Sequence, residues 1–196
     1  ATIIAANKLQ AAMRKEDGTL RTYDEMKAEG IETKYLGRYE TNTTPGLCRL
    51  DPNTGICDPT PAFTYCLNLA EVEVDTKTGK TTVLKFTCVD FVGRIGNIDA
   101  VNGQAYSGIM HGIGFALKED YADVKKHANM FGAGTSYIKD VPDDIDLIHI
   151  DGAISDGPFG SSGASEAFQA SGHCAVLNGI YNACGVRIHA VSYTHL

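Results

Sequence analysis

The chain has 196 residues, 43% of them hydrophobic, and a formal net charge of −7. This composition is ordinary for a globular protein with a packed core. Lys and Arg are scattered singly, so no basic stripe could neutralise the phosphates of a nucleic acid. No run approaches the roughly 18 apolar residues of a membrane-spanning helix. We therefore expect neither a nucleic acid nor a membrane as a partner.

The sequence opens in a helical pattern and not with an initiating Met. Ile3, Ile4, Leu9, Ala12 and Met13 fall on roughly one side of a helix, and the stretch lacks the basic leader and cleavage site of a signal peptide. We interpret residues 1–190 as a fragment that begins in mid-domain. The last six residues, "VSYTHL" (191–196), resemble translated linker sequence and are predicted to be a non-native tail.

Local signals then predict a short helix and a β-hairpin. Thr22 followed by Glu25 is a capping-box pattern, and Gly30 stops the helix. Residues 34–61 are rich in Thr, Asn, Pro and Gly and predict a long surface loop. Two β-rich runs, "FTYCLNLAEVEV" and "TTVLKFTCVDFV", flank the turn residues "DTKTGK", which predicts a hairpin.

A glycine-rich helix is predicted from Ile98 to Glu119, with Asn97 as its cap. Each internal glycine costs up to about 1 kcal/mol of helix propensity relative to alanine, so we expect another backbone or a ligand to approach closely. "LIHI" predicts a short strand, residues 172–184 a helix stopped by Gly185, and "VRI" a last strand. The pattern predicts an α+β fold in which a mixed sheet containing the hairpin packs against the two helices.

Six cysteines occur without a C-x-x-C pair, so a zinc or disulfide framework is disfavoured. Cys66 and Cys88 in the strands, and Cys174 and Cys184 on one predicted helical face with Leu177 and Tyr181, are interpreted as small buried hydrophobes. Cys48 and Cys57 flank a turn and are the pair that we suspect of redox or metal chemistry.

Glu166 is the first candidate for chemistry. It follows the loop "GSSGAS" at a predicted helix start, where backbone N–H groups can hold an anion. Its neighbours are apolar or small (Phe159, Ala164, Ala167 and Phe168), so we expect a desolvated carboxylate with a raised pKa, suited to a general base. The plain alternative is a helix N-terminal acid worth about 0.3–1 kcal/mol.

Gln104 is the second candidate. It shares a helical face with Gly108 and His111, and an amide there could both donate to and accept from a bound cofactor. The alternative is a surface helix former. His111 is interpreted as an ordinary helix histidine. A serine nucleophile at Ser162 or Ser165 is disfavoured because neither lies in a G-x-S-x-G motif.

Several separated stretches resemble, in the same order, the molybdenum-binding large domain of the xanthine oxidase and aldehyde oxidoreductase family. They are "NGQAYSGIMHGIGFALKEDY", "PFGSSGASE" and "NACGVRI". Two more, "RTYDEMKAEGIETKYLGRY" and "AEVEVDTKTGKTT", are similar to the single-chain aldehyde oxidoreductases of sulfate-reducing bacteria. The resemblance covers Ala1 to about His189 and implies the C-terminal portion of a molybdopterin-binding domain.

The resemblance implies a cytoplasmic molybdenum hydroxylase that oxidises an aldehyde with water to a carboxylic acid. Glu166 matches the glutamate that takes a proton from the hydroxo ligand of molybdenum, and Gln104 matches a glutamine that contacts the metal's oxo ligand or the pterin. The matched cofactor-binding positions are Gly96, Asn97 and Ala100 at a helix start, where the pyrophosphate would lie, and Ser162, Gly163, Ala164 and Ser165 in the loop.

The implied cofactor is molybdenum–molybdopterin cytosine dinucleotide, with electrons leaving through two [2Fe–2S] clusters in a missing N-terminal part. The implied partners are a small aldehyde, the remainder of the same chain and a second copy in a homodimer. Cluster-binding cysteine motifs and substrate-pocket residues are not in this sequence, so we do not expect the fragment to be active alone.

One departure bears on the substrate. Many family members have Gly-Val-Gly before the glutamate, whereas this chain has Gly163-Ala164-Ser165, which we interpret as a mark of the aldehyde oxidoreductase branch. Two alternatives stay open. A purine or other heterocycle hydroxylase would use the same base, and a non-catalytic binding or assembly module would use Glu166 only as a helix cap.

Overall fold

A computed structural model describes residues 1–39, 51–56, 62–154 and 157–189. The suspected pair Cys48 and Cys57, the tail 191–196 and much of the predicted loop 34–61 lie outside these residues. The chain divides into two units, Ala1–Pro61 and Ala62–Leu196. In the part of the chain that the structure describes, no helix is both long and apolar enough to cross a membrane.

The first unit contains two helices, α1 (Thr2–Met13) and α2 (Tyr23–Ala28). The predicted capping box at α2 is confirmed, since the Thr22 side chain accepts from the Glu25 N–H and the Glu25 carboxylate accepts from the Thr22 N–H. Gly30 takes φ +70° just after the helix, a conformation that favours glycine. Met26 is buried, whereas α1 has no buried residue.

The second unit is built on a three-stranded sheet of order β1-β2-β3. The strands β1 (Tyr65–Val74) and β2 (Thr81–Phe91) form the predicted hairpin, and β3 (Asp144–His149) lies parallel to β2. A register shift between Glu71 and Val72 interrupts the hairpin. The sheet is therefore mixed, as expected for the α+β class.

Three helices of the second unit cover one face of this sheet. They are α3 (Ile98–Leu117), α4 (Ser165–Ala170) and α5 (Gly172–Cys184). The core between sheet and helices is formed by Val83, Phe86, Cys88, Ile109, Ile113, Phe168, Val176 and Ile180. Burying such side chains stabilises the fold by about 1.5–3 kcal/mol for each large aliphatic or aromatic one.

Glycines on α3 allow the helices to approach closely. A Cβ on Gly108 would lie 2.6 Å from the Phe168 Cβ of α4, and one on Gly112 would lie 2.9 Å from the Gly172 Cα of α5. Both distances are shorter than real contacts allow, so alanine would push the helices apart. The expected close approach is confirmed for these two positions, where the approaching group is protein backbone or Cβ.

Two predictions in this region are wrong. Residues 186–188 form no strand, although Ile188 is buried. Cys174 is exposed and not a buried hydrophobe, because α5 packs through Gly172, Val176 and Ile180. Cys174 is two positions from both Gly172 and Val176, about 200° around the helix from each.

Candidate active site

The carboxyl ends of β2 and β3 lie side by side because these strands are parallel, with Asp90 directly opposite His149. The chain leaves β2 toward the start of α3, and it leaves β3 toward the Gly/Ser loop and α4. In open α/β sheets, ligands bind outside the carboxyl ends of the parallel strands, and β2 and β3 present the same kind of edge here. Apart from Cys48 and Cys57, the candidate residues predicted from the sequence follow one of these two ends.

Backbone hydrogen bonds tie the two connections together. The Arg94 N–H donates to the Gly160 carbonyl over 2.8 Å, and the Ser162 N–H donates to the Val92 carbonyl over 2.9 Å. Gly93 has φ +73°, and a Cβ there would collide with the Gly160 carbonyl oxygen. Only glycine satisfies both conditions, so this residue type is needed to join the two connections.

The Gly/Ser loop is also held by the start of the hairpin. The Thr64 hydroxyl lies 2.8 Å from the Ser162 hydroxyl and donates to the Gly163 carbonyl over 2.5 Å. Ser161 donates to the Arg94 carbonyl. Phe159 takes φ +56° and is 77% exposed. The loop that was predicted to hold an anion is thus fixed at several points along its length.

Gln104 and Ser165 are brought together across α3 and α4. The Ser165 hydroxyl donates to the Gln104 Oε1 over 2.7 Å, and both residues are exposed. Because Oε1 is the acceptor, the amide N–H groups of Gln104 are left as donors. The two candidate residues therefore form one polar unit at the surface, next to Glu166 in the chain.

Glu166 lies in the first turn of α4 and is exposed. The expectation of a desolvated carboxylate is wrong for this chain by itself. Phe168 is fully buried in the core, and Phe159 is mostly exposed, so neither ring covers the carboxylate. Any desolvation of Glu166 would have to come from groups other than those that the structure describes.

The start of α3 is capped as predicted. Asn97 Oδ1 accepts from the Ala100 N–H over 3.0 Å, so this N–H is already used, while those of Ile98 and Asp99 lie at the helix start. Open space surrounds three glycines near the candidate residues. A Cβ on Gly96, Gly103 or Gly163 would meet no atom within 4 Å, and none has a positive φ.

One buried polar cluster was missed by the sequence analysis. The His149 Nδ1 lies 2.6 Å from Asp90 Oδ2, and its Nε2 lies 2.7 Å from Asn102 Oδ1 on α3. Burial raises the pKa of Asp90, while its bond to His149 works in the opposite direction. The available signal was a single polar residue in each of two apolar strand patterns, "CVDFV" and "LIHI".

His111 is half-buried within α3, and its interpretation as an ordinary helix histidine stays a prediction. Within residues 1–39, 51–56, 62–154 and 157–189, no group of three or more His, Cys, Asp or Glu side chains is arranged to hold a metal ion.

Comparison with known proteins identifies the family to which this chain belongs. A family model described as a molybdopterin cofactor-binding domain matches residues 1–142. An aldehyde oxidoreductase from Megalodesulfovibrio gigas is 41% identical over 186 residues, which are 95% of this chain and 20% of that protein. A probable hypoxanthine oxidase from Escherichia coli K12 is 29% identical over 140 residues, covering 69% of this chain and 15% of that protein.

A solved structure agrees with the sequence comparison. The aldehyde oxidoreductase from Desulfovibrio gigas, activated with sodium dithionite and sodium sulfide, superposes with a TM-score of 0.84 at 41% identity. The match covers 96% of this chain and 20% of that chain, so this chain spans about a fifth of the length of these two aldehyde oxidoreductases. The chain belongs to the molybdopterin cofactor-binding domains of the xanthine oxidase and aldehyde oxidoreductase family.

Proposed function

We propose that this chain is part of a molybdenum hydroxylase that oxidises small aldehydes to carboxylic acids with water as the oxygen source. The observation that carries the proposal is the Ser165–Gln104 hydrogen bond beside Glu166, in a chain 41% identical to an aldehyde oxidoreductase. This unit lies on the connections that follow two parallel strand ends, the edge at which open α/β sheets bind their ligands.

The residues present fit a molybdopterin cofactor. Gly96, Gly103 and Gly163 have neither positive φ nor a close neighbour that would require glycine, so their bare backbone is available for contact with a ligand. The N–H groups of Ile98 and Asp99 at the start of α3, a 20-residue helix, suit a phosphate group. Asn97 shapes this site by capping α3. In the proposal, the loop residues Ser162, Gly163, Ala164 and Ser165 contact the cofactor from the side opposite α3.

Each candidate side chain has a distinct task in this proposal. Glu166 accepts a proton from the water-derived nucleophile, a role that needs a carboxylate within hydrogen-bond reach of that proton. Gln104 donates from its amide N–H groups to the bound cofactor, because the hydrogen bond from the Ser165 hydroxyl holds its oxygen on the side of α4. Ser165 thereby fixes which end of the amide faces the cofactor.

The cofactor itself supplies the redox chemistry, with molybdenum accepting the two electrons of the oxidation. We propose the cytosine dinucleotide form, with [2Fe–2S] clusters elsewhere in the parent protein as the next electron carriers. A homodimeric parent enzyme in the cytoplasm completes the proposal. The resemblance of the chain to its aldehyde oxidoreductase relatives supports these points.

A second candidate is a hydroxylase of purines or other heterocycles. The 29% identity to a probable hypoxanthine oxidase supports it. A purine hydroxylase would use the same base, Glu166, and the same cofactor-binding residues. The higher identity and the greater coverage of the aldehyde oxidoreductase favour the first candidate.

The test is to purify the full-length parent protein from a molybdenum-replete host that makes the dinucleotide cofactor. About one molybdenum per chain and oxidation of aldehydes in preference to hypoxanthine are expected. Folded protein without molybdenum would contradict the whole proposal. Protein that contains molybdenum but oxidises hypoxanthine in preference to aldehydes would favour the second candidate.

A further inference from the structure

The cluster of Asp90, His149 and Asn102 joins three elements behind the candidate site. Asp90 and His149 are register partners near the carboxyl ends of β2 and β3, and Asn102 lies in the second turn of α3. Asp90 is 1% exposed, and the His149 side chain is 13% exposed. The imidazole ring thus connects the sheet to the helix on which Gln104 lies two residues further on.

Holding a helix through a buried polar cluster costs free energy, because its polar groups lose their hydrogen bonds to water. Asp90 Oδ1 is buried and has no hydrogen-bond partner among the described residues. Burying such groups disfavours folding unless their partners compensate fully. Apolar side chains would hold the helix against the sheet equally well. Stability of the fold therefore does not explain why these three polar side chains occur here.

The N-terminal turns of α3 are joined to α4 by the Ser165–Gln104 hydrogen bond and have few links to the sheet. No residue of α3 before Ala105 is buried, and Val101, which packs against the core, is itself only partly buried. The close contacts of Gly108 and Gly112 with α4 and α5 lie further along the helix. The bond from His149 Nε2 to Asn102 is therefore a main link between the sheet and the turns that carry Gly103 and Gln104.

Imidazole suits this task because its two ring nitrogens point in different directions from a rigid ring. Both partners are oxygen atoms, at 2.6 Å from Nδ1 and 2.7 Å from Nε2, so each ring nitrogen has its own hydrogen-bond partner. Asp90 fixes the ring from one side, and the ring then fixes Asn102 on the other. Asn and Gln place their donor and acceptor on a single carbon and cannot span the same gap.

We propose that His149, held by Asp90, is a positioning residue that fixes the N-terminal turns of α3 through Asn102 and so places Gln104 against Ser165 and the cofactor. This inference rests on the proposed function of the site. A displacement of about 1 Å at a positioning group can cost on the order of 100-fold in rate, so a rigid attachment has a catalytic consequence that a loose one does not.

The test uses the full-length parent protein with Asn102→Leu, which removes the acceptor but leaves the Asp90–His149 pair intact. Asn102→Asp retains an oxygen acceptor and is the conservative rescue. Glu119→Gln is the matched control, because Glu119 is a buried carboxylate just beyond the other end of α3. Molybdenum content, kcat per bound molybdenum and hydrogen exchange of amides 98–105 are measured for each variant.

We expect Asn102→Leu to speed exchange in residues 98–105 and to lower kcat per bound molybdenum by about 10- to 100-fold, with Asn102→Asp near wild type on both. Glu119→Gln should change neither. Unchanged exchange in Asn102→Leu would overturn the attachment, and faster exchange with unchanged kcat would overturn the catalytic consequence. Absence of molybdenum from the wild-type protein would instead refute the proposed function, and the positioning role with it.

Discussion

Ser165 and Gln104 are hydrogen-bonded over 2.7 Å although they are 61 residues apart in the chain. The bond joins the first residue of α4 to the second turn of α3 and gives the Gln104 amide one defined orientation. Because the serine hydroxyl donates to Oε1, the amide nitrogen is directed to other partners. The two side chains should therefore act as a pair.

A double-mutant cycle tests this coupling. Ser165→Ala and Gln104→Ala should each lower kcat/KM per bound molybdenum in the full-length enzyme, and the double variant should lose less than the sum. We expect an interaction energy of about 0.5–1.5 kcal/mol in the transition state, the usual net value of one hydrogen bond. Ser107→Ala, at an exposed serine of α3, is the control. Strict additivity would show that the serine does not orient the amide.

The capping box of α2 predicts a pH dependence in the first unit. Glu25 accepts from Lys15 over 2.7 Å and from the Thr22 N–H over 2.7 Å, and these bonds lower the pKa of Glu25 from 4.5 to about 2. A lowered pKa means that the unfolded state binds the proton more tightly. The contribution to stability is thus present above about pH 4.5 and is lost as the pH falls toward about 2.

Amide hydrogen exchange of α2, corrected for intrinsic rates, should therefore show protection that falls across this window in the wild type. Glu25→Gln should give lower protection at neutral pH and a flatter profile, since the ionisable group is gone. Asp24→Asn removes a neighbouring first-turn charge without touching the capping box and should keep the wild-type slope. Parallel profiles for the wild type and Glu25→Gln would rule out this carboxylate as the source.

Elements defined by local chemistry could be read from the sequence. The Thr22 and Asn97 caps, the turn between β1 and β2 and the Gly185 stop all use residues within a few positions of one another. Gly185 takes φ +75° at the end of α5, a conformation that glycine adopts without strain. The hairpin and the two longer helices followed from such signals, and the α+β class followed from their order.

Features that depend on long-range packing could not be read in this way. Asp90 and His149 are 59 residues apart, and nothing local indicates that β3 pairs with β2 in parallel. The buried face of α5 depends on the contact between Gly172 and Gly112, which the periodicity of α5 alone does not specify, so Cys174 was assigned to the wrong side. The exposure of Glu166 likewise depends on where Phe159 and Phe168 pack, which their positions in the chain do not reveal.

Two glycines of α3 should respond in opposite ways to alanine. At Gly108 a Cβ would lie 2.6 Å from the Phe168 Cβ, so Gly108→Ala should destabilise the protein by about 1–3 kcal/mol, as overpacking does. At Gly103 there is open space, so Gly103→Ala should gain up to about 1 kcal/mol of helix propensity. Thermal unfolding of the cofactor-free parent protein measures both. Equal changes of the melting temperature in the two variants would contradict the packing of α3 against α4.

The same Gly103→Ala variant also reports on the cofactor. If the backbone at Gly103 is kept bare for a ligand, the added methyl group should lower the molybdenum content while stabilising the cofactor-free protein. Retention of full molybdenum content would show that the open space at Gly103 is not used for binding. The opposite signs of the two effects separate a binding role from a folding defect.

Glu166→Gln is the most direct test of the proposed base. The amide keeps the size of the side chain and its place in the first turn of α4 but cannot accept a proton, so kcat per bound molybdenum should fall by about 100- to 10,000-fold, the usual contribution of a general base. Because Glu166 is exposed and its side chain lies outside the packed core, molybdenum content and thermal stability should stay close to wild type.

The control is Asp24→Asn, since Asp24 is likewise the second residue of its helix and a first-turn acid. Removing either charge removes a similar interaction with the helix dipole, worth about 0.3–1 kcal/mol. The free energy of unfolding should therefore change by a similar amount in the two variants. Only Glu166→Gln should lose turnover. Loss of folding in Glu166→Gln with unchanged kcat in the folded fraction would instead assign Glu166 a capping role. In that case the proton acceptor of the reaction would lie elsewhere in the parent enzyme.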